Sequence, residues 1–287
     1  MSRINKKRFG RKVVRKRKVS KVKPNYRKVR YEGQVKRIVK KALSRNVEKK
    51  MQTWDWQLTP LCLQSTTGTL TNNYIVLNPS NSSGNTISIS RGTGSGQMIS
   101  DKIRLANATL KYVITQQPYN ATTNPLNGKP LYLRAYFYKY KKAPQNDPQV
   151  SNICGSSISA NFFELGTSDI GFSGTLQDLN QVINRNSYIY LGHRTFKLGN
   201  QVQANTTLGV GSPIYAQSNN DFKMSVFGKM NITKMLPKNM TRDDNQVWQD
   251  DYVIMMLQYC YADGTLASNV SAPLQCNFHL DLAFTDA

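Results

Sequence analysis

From residue 51 onward, apolar positions recur in short runs with a period of two, separated by clusters of Gly, Pro, Asn and Ser. This is the pattern of half-buried strands joined by turns. Strands are predicted near residues 52–63, 73–78 with a companion at 86–90, 102–115, 131–141, 188–196, 222–233, 252–261 and 276–284. Alternation is clearest where Leu131, Leu133, Ala135 and Phe137 interleave with Tyr132, Arg134, Tyr136 and Tyr138. It recurs where Phe278, Leu280, Leu282 and Phe284 interleave with His279 and Asp281. A period of two places each set on one face of its strand, so each of these strands has one buried side.

Eight principal strands in one body of about 235 residues predict an all-β fold, a single jelly roll of two packed antiparallel sheets with long loops. The segments 116–130, 143–167 and 199–221 exceed ordinary hairpin connections, and loops of that length usually carry function or contacts. Ahead of the strands the period changes. Val35, Ile38, Val39, Ala42, Leu43 and Val47 fall at helical spacing, with Lys36, Arg37, Lys40, Lys41 and Arg45 opposite them. An amphipathic helix is predicted over 33–50, either docked on its own domain or lying between the body and a polyanion.

Charge changes the picture most. The chain carries +23, but residues 1–50 hold 22 Lys or Arg against Glu32 and Glu48, a net +20, which leaves +3 for residues 51–287. A segment so charged and so poor in large apolar residues cannot offset the entropy of ordering, so residues 1–32 are expected to be a disordered arm. Its natural partner is nucleic acid, whose phosphates are neutralised by Lys and Arg with release of condensed counterions. The residues expected to make those contacts are Arg3, Lys6, Lys7, Arg8, Arg11, Lys12, Arg15, Lys16, Arg17, Lys18, Lys21, Lys23, Arg27, Lys28 and Arg30, with Lys36, Arg37, Lys40 and Lys41 on the helix. Lys6, Lys7, Arg8, Arg11, Lys12, Arg15, Lys16, Arg17 and Lys18 also have the composition of a nuclear-localisation signal. No run of 18 apolar residues occurs, and no apolar region follows the basic N-terminus, so neither a membrane span nor conventional secretion is expected.

The stretch Arg91-Gly-Thr-Gly-Ser-Gly-Gln-Met-Ile-Ser-Asp-Lys-Ile, running into Arg104-Leu-Ala-Asn-Ala-Thr-Leu-Lys-Tyr, resembles coat proteins of circular, Rep-encoding single-stranded DNA viruses, the circovirus-like group. There a glycine-rich turn precedes a Gly-x-x-Ile-x-x-Lys-Ile strand. The resemblance extends to the polybasic arm, the basic helix and Leu131-Tyr-Leu-Arg-Ala-Tyr-Phe-Tyr-Lys-Tyr. It implies a viral-type jelly roll and a capsid of sixty copies or a multiple of sixty. It also implies packaging of single-stranded DNA by the arm, assembly in the host nucleus through import receptors, and a host-cell receptor for the virion. Sixty arms would supply about 1,200 charges, enough for roughly one to two thousand nucleotides if metal ions and polyamines cover the remainder. Coats of small single-stranded RNA viruses share this layout, as would a cellular nucleic-acid-binding β domain. A lectin-type jelly roll shares the body but does not call for the arm.

Other residues invite sharper readings. Trp54 and Trp56, two apart, could stack on bases, but their common face points to core or subunit contact. The glycines of residues 92–96 suggest a phosphate loop, yet no Gly-Lys-Ser/Thr follows and a strand comes next, so a turn is expected. Asp243, Asp244, Asp250 and Asp251 around Trp248 lack the spacing of a dedicated calcium site and are expected to be a solvated acidic loop. Cys62, Cys154, Cys260 and Cys276 lie far apart without metal-ligand spacing and are expected to be free, mostly buried thiols. Neither His193 nor His279 sits in a nucleophile motif, and no catalytic role, metal or cofactor is expected.

Overall fold

The computed structural model describes residues 31–39, 48–60, 73–80, 86–117, 129–141, 162–165, 168–199, 221–243, 248, 250–266 and 273–286. The chain divides into two compact units, Met1–Val47 and Glu48–Ala287. In the first, residues 31–39 are helical, beginning two residues earlier than the spacing predicts. In the second, the helix expected as far as residue 50 is corrected: Glu48 and Lys49 are irregular and Lys50 opens the first strand. Backbone pairing with the last strand, Lys50 opposite Phe284, and an ion pair to Asp286 capture this residue into the sheet.

Among the described residues twelve strands follow: β1 (Lys50–Leu58), β2 (Tyr74–Val76), β3 (Lys102–Gln116), β4 (Leu131–Tyr140), β5 (Phe163–Leu165), β6 (Ser168–Ile170), β7 (Val182–Ile183), β8 (Tyr188–Leu198), β9 (Ser225–Asn231), β10 (Asn239–Thr241), β11 (Val253–Tyr261) and β12 (Leu274–Asp286). All eight principal predicted strands are present, but the companion expected at 86–90 is reduced to a single bridge between Pro79 and Ile87. β1 stops at Leu58, short of the expected 63, where Pro60 has no N–H to give a ladder. β5, β6, β7 and β10 are two or three residues long and lie in stretches where the sequence shows no alternating run like that of 73–78.

One sheet has the order β1-β12-β3, with β9 and β10 following one another along the far edge of β3; the second has the order β2-β11-β4-β8. Every ladder is antiparallel. Among the eight principal strands the first pairs with the last, the second with the seventh, the third with the sixth and the fourth with the fifth. A long hairpin of four strand pairs, rolled so that successive pairs fall in alternate sheets, has this order, and the fold is therefore a jelly roll.

The main core fills the space between the sheets. It takes Ile103, Leu110, Tyr112 and Ile114 of β3 and Phe278, Leu280 and Phe284 of β12 from one side. Leu131, Leu133 and Phe137 of β4 and Met255 and Leu257 of β11 come from the other. A bulge between Ala283 and Phe284 lets β12 absorb an extra residue of β3, so the inward positions stay in phase along both strands.

A second core lies on the outer face of the β2-β11-β4-β8 sheet. There Tyr136, Tyr138, Ile254 and Met256 pack against Phe162, Phe163, Phe172 and Ile183, which come from the segment between β4 and β8 that also forms the β6-β5-β7 sheet. Ring edges meet faces here, as in Tyr136 with Phe162 at 5.2 Å between centroids. A 3-10 turn, Leu176–Leu179, places Asp178 at the base of this cover. Its buried carboxylate accepts the N–H of Ser173 and of Gly174 at 3.0 Å each, the Ser173 hydroxyl at 2.6 Å and the Gln258 amide at 2.6 Å. Burial pushes the Asp178 carboxyl above its ordinary pKa, against the opposing hydrogen bonds. Gln258 belongs to β11 and accepts the Tyr136 hydroxyl at 3.2 Å, so one polar network pins the insert to the sheet.

Candidate nucleic-acid interface

Of the residues predicted to contact nucleic acid, Lys36 and Arg37 are described, and both are exposed on the helix, away from the line of Val35, Ile38 and Val39. The others, from Arg3 to Arg30 together with Lys40 and Lys41, and every nuclear-localisation candidate, lie outside the described residues.

Where the chain enters the jelly roll the structure is tightly tied. Lys50 is buried with its Nζ 2.8 Å from the Asp286 carboxylate, whose other oxygen accepts the Ile99 N–H at 3.1 Å. The glycine-rich turn closes on itself. Gly92 donates to the Met98 carbonyl, Met98 to the Ser90 carbonyl, and Gly94 to the Gln97 side chain, while Arg91 pairs with Asp101. Gly92 has φ +155°, a backbone conformation that strains residues with a Cβ, so glycine is favoured there, and the flexible Gln97 amide fills the space beside it. The Ser95 carbonyl takes the Met51 N–H at 3.2 Å, which docks the turn on β1. The sequence reading of a turn, and not a phosphate loop, agrees with this geometry.

On β1, Trp54 and Trp56 turn inward and pack against the main core, while Met51, Thr53, Asp55 and Gln57 face out. The outward side chains of the first sheet form rows across it. In one row Asp55, His279, Lys111 and Lys229 stand side by side on β1, β12, β3 and β9. His279 Nδ1 lies 2.6 Å from Asp55 Oδ1 and its Nε2 2.8 Å from Asp281 Oδ1, and Lys111 Nζ lies 2.6 Å from Asp281 Oδ2. The hydrogen bond to Asp55 is the main cause that raises the His279 pKa, with Asp281 adding to it. Burial pushes Asp281 up, but Lys111 and His279 more than offset it and hold the carboxyl below its ordinary pKa. The row is a charged network on the open face of the sheet.

The acidic loop matches its expected solvated form in part: Asp251 is exposed, but two of its other acids are not. Asp243 and Asp250 are half-buried, Asp250 accepts the Thr241 N–H at 2.9 Å, and Trp248 is buried under the Arg242 guanidinium at 5.8 Å. Asp244 lies outside the described residues. Among the described residues no group of three or more His, Cys, Asp or Glu side chains is placed to hold a metal ion, and no helix is long and apolar enough to cross a membrane. Cys260 and Cys276 are free and buried. Burial pushes the Cys260 thiol up to about 12 and raises the Cys276 thiol as well. Cys62 and Cys154 lie outside the described residues.

No family model matches the chain, and no curated protein matches it in sequence, so the circovirus-like resemblance has no sequence-level counterpart there. Among solved structures it is similar to Merkel cell polyomavirus VP1 in complex with disialyllactose, with 11% identity and a TM-score of 0.24 over 82% of this chain and 94% of that one. It is also similar to VP1 of Trichodysplasia spinulosa-associated polyomavirus in complex with GM1 oligosaccharide, with 10% identity and a TM-score of 0.21 over the same shares. Likeness at that level carries no argument about function, and the jelly-roll fold of this chain rests on its own strand order.

Proposed function

We propose that the chain is a viral capsid protein that self-assembles into a small icosahedral shell, of sixty copies or a multiple, and packages single-stranded DNA through its basic N-terminal arm. The observation that carries this reading is the union of a net +20 segment over residues 1–50 with a rolled eight-strand body. A jelly roll alone hosts many functions, but a carbohydrate-binding one has no use for such a polycation. A merely soluble one needs far less charge. In this reading residues 1–32 neutralise phosphates without a fixed conformation, the segment that follows adds Lys36, Arg37, Lys40 and Lys41, and residues 51–287 make the contacts between subunits. The clusters from Lys6 to Lys18 serve nuclear import receptors before assembly, and the virion surface meets a host-cell receptor.

Electron microscopy of the purified full chain tests the reading, with uniform shells expected. Rising salt should release nucleic acid before it melts β structure, because counterion release weakens steeply with ionic strength and apolar burial does not. Deleting residues 1–31 should leave the circular dichroism of a β protein and lower the ratio of absorbance at 260 nm to that at 280 nm. A monodisperse monomer across salt and pH would overturn it.

A further inference from the structure

The near neutrality of the body conceals a strong internal division. Residues 102–117 and 222–242 together carry eight Lys or Arg and no Asp or Glu, so a body of net +3 consists of about one sixth at +8 and a remainder at −5. The fold joins these two distant stretches. Thr109–Thr115 of β3 pair with Ser225–Asn231 of β9, and Lys102–Arg104 pair with Asn239–Thr241 of β10. Because the bulge keeps the alternation in phase, Lys102, Arg104, Lys111 and Lys229 all leave the same outer face of the sheet.

We propose that this outer face of β3, β9 and β10 is a second contact for packaged single-stranded DNA, with Phe227 as a platform for an unpaired base and Lys102, Arg104 and Lys229 as phosphate contacts. The inference deepens the packaging reading above and rests on it. Phe227 is 79% exposed on β9, opposite Val113 at 48%, and is flanked two residues on by Lys229. A large aromatic standing in water among cations is the arrangement that binds single strands without reading sequence, by stacking on base faces while charge tracks the backbone. Lys111 and Lys229 sit directly opposite each other, and like charges in that register are destabilising unless something negative joins them. Lys111 turns to Asp281, but among the described residues no carboxylate pairs with Lys229, Lys102 or Arg104. From Arg104 to Lys111 the row extends about 23 Å along β3, long enough to follow several phosphates. A second copy of the chain fits this patch poorly, since a two-fold contact centred on Phe227 would set Lys229 against Lys229.

Photo-crosslinking of the full chain to oligothymidine, mapped by mass spectrometry, tests the proposal. An adduct is expected on the peptide containing Phe227 in addition to those on the arm. Phe227→Ala should abolish the first and spare the second, with unchanged circular dichroism, and Phe227→Trp should restore it. In parallel, a Lys102→Gln, Arg104→Gln, Lys229→Gln variant should reduce the slope of log affinity against log salt by about 2, at roughly 0.7 per phosphate contact on a single strand. Adducts confined to the arm with an unchanged slope would overturn this contact and leave the packaging reading standing. Absence of any adduct or binding would overturn both. Protection of Phe227 in shells free of nucleic acid, with loss of assembly in Phe227→Ala, would reassign the face to a subunit contact and overturn the proposal as well.

Discussion

β11 and β12 are close neighbours in the chain but lie in different sheets, and their sequences read differently. β12, LQCNFHLDLAFTD, alternates between buried and solvated positions, whereas every residue of β11, VIMMLQYCY, is buried. The first sheet has one covered face, so half of its positions are free to be Asn, His, Asp or Lys. The second is covered on both, by the main core within and by the β4 to β8 insert without, so its central strand must be apolar almost throughout. The difference places the freely variable chemistry of the body on the outer face of the first sheet.

Matched truncations break the comparison most sharply. Ile254→Ala, beneath the insert, should cost about 3 kcal/mol through lost burial and a cavity. Val113→Ala, on the open face, should change stability by less than about 0.5 kcal/mol. Chemical denaturation of the full chain measures both, and equal losses would mean that the open face is covered in solution.

Asp178→Ala sharpens the same contrast from the polar side. It leaves the Ser173 and Gly174 N–H groups and the Gln258 amide without their buried acceptor, and about 2 kcal/mol should be lost. Hydrogen exchange should then rise in residues 162–188 before it rises in β3 or β12. Uniform exchange across both sheets would contradict the role given to the insert.

The smallest expected effect is on the open face. His279 has a pKa raised above its ordinary 6.5 by Asp55 first and Asp281 next. Its stabilisation is therefore fully present below about 6.5 and is lost as pH rises through the higher folded value. Facing groups on the neighbouring strands are Asp55 of β1 and Lys111 of β3, with Lys229 of β9 beyond, and solvent screening keeps the effect under about 1 kcal/mol. Melting temperatures at low salt, compared between wild type and His279→Gln, should converge as pH rises from 6 to 9. A difference independent of pH would contradict the assignment.

Much of the architecture was legible because alternation survives wherever a strand has one wet face, as in Leu131 to Phe137 and Phe278 to Phe284. The two-apart spacing of Trp54 and Trp56 likewise announced a shared inward face. The insert was not legible. Phe162, Phe163 and Phe172 lie in a segment without period, and Asp178 looks like any loop acid until its four donors, drawn from Ser173, Gly174 and β11, converge on it. The acidic residues around Trp248 misled for the same reason, since whether Asp250 meets water or the Thr241 N–H is decided by what packs over it.

The sequence by itself determined the two electrostatic extremes of the chain, a polycationic N-terminal segment and a body that sums to near zero. It also determined which eight stretches become strands, because periodicity and composition are local properties. Only the tertiary structure decided that residues 102–117 and 222–242 share one sheet edge, turning an even charge count into a basic face around Phe227. Strand pairing across a separation of more than a hundred residues is fixed by the rolling of the whole ribbon, and no local pattern encodes it.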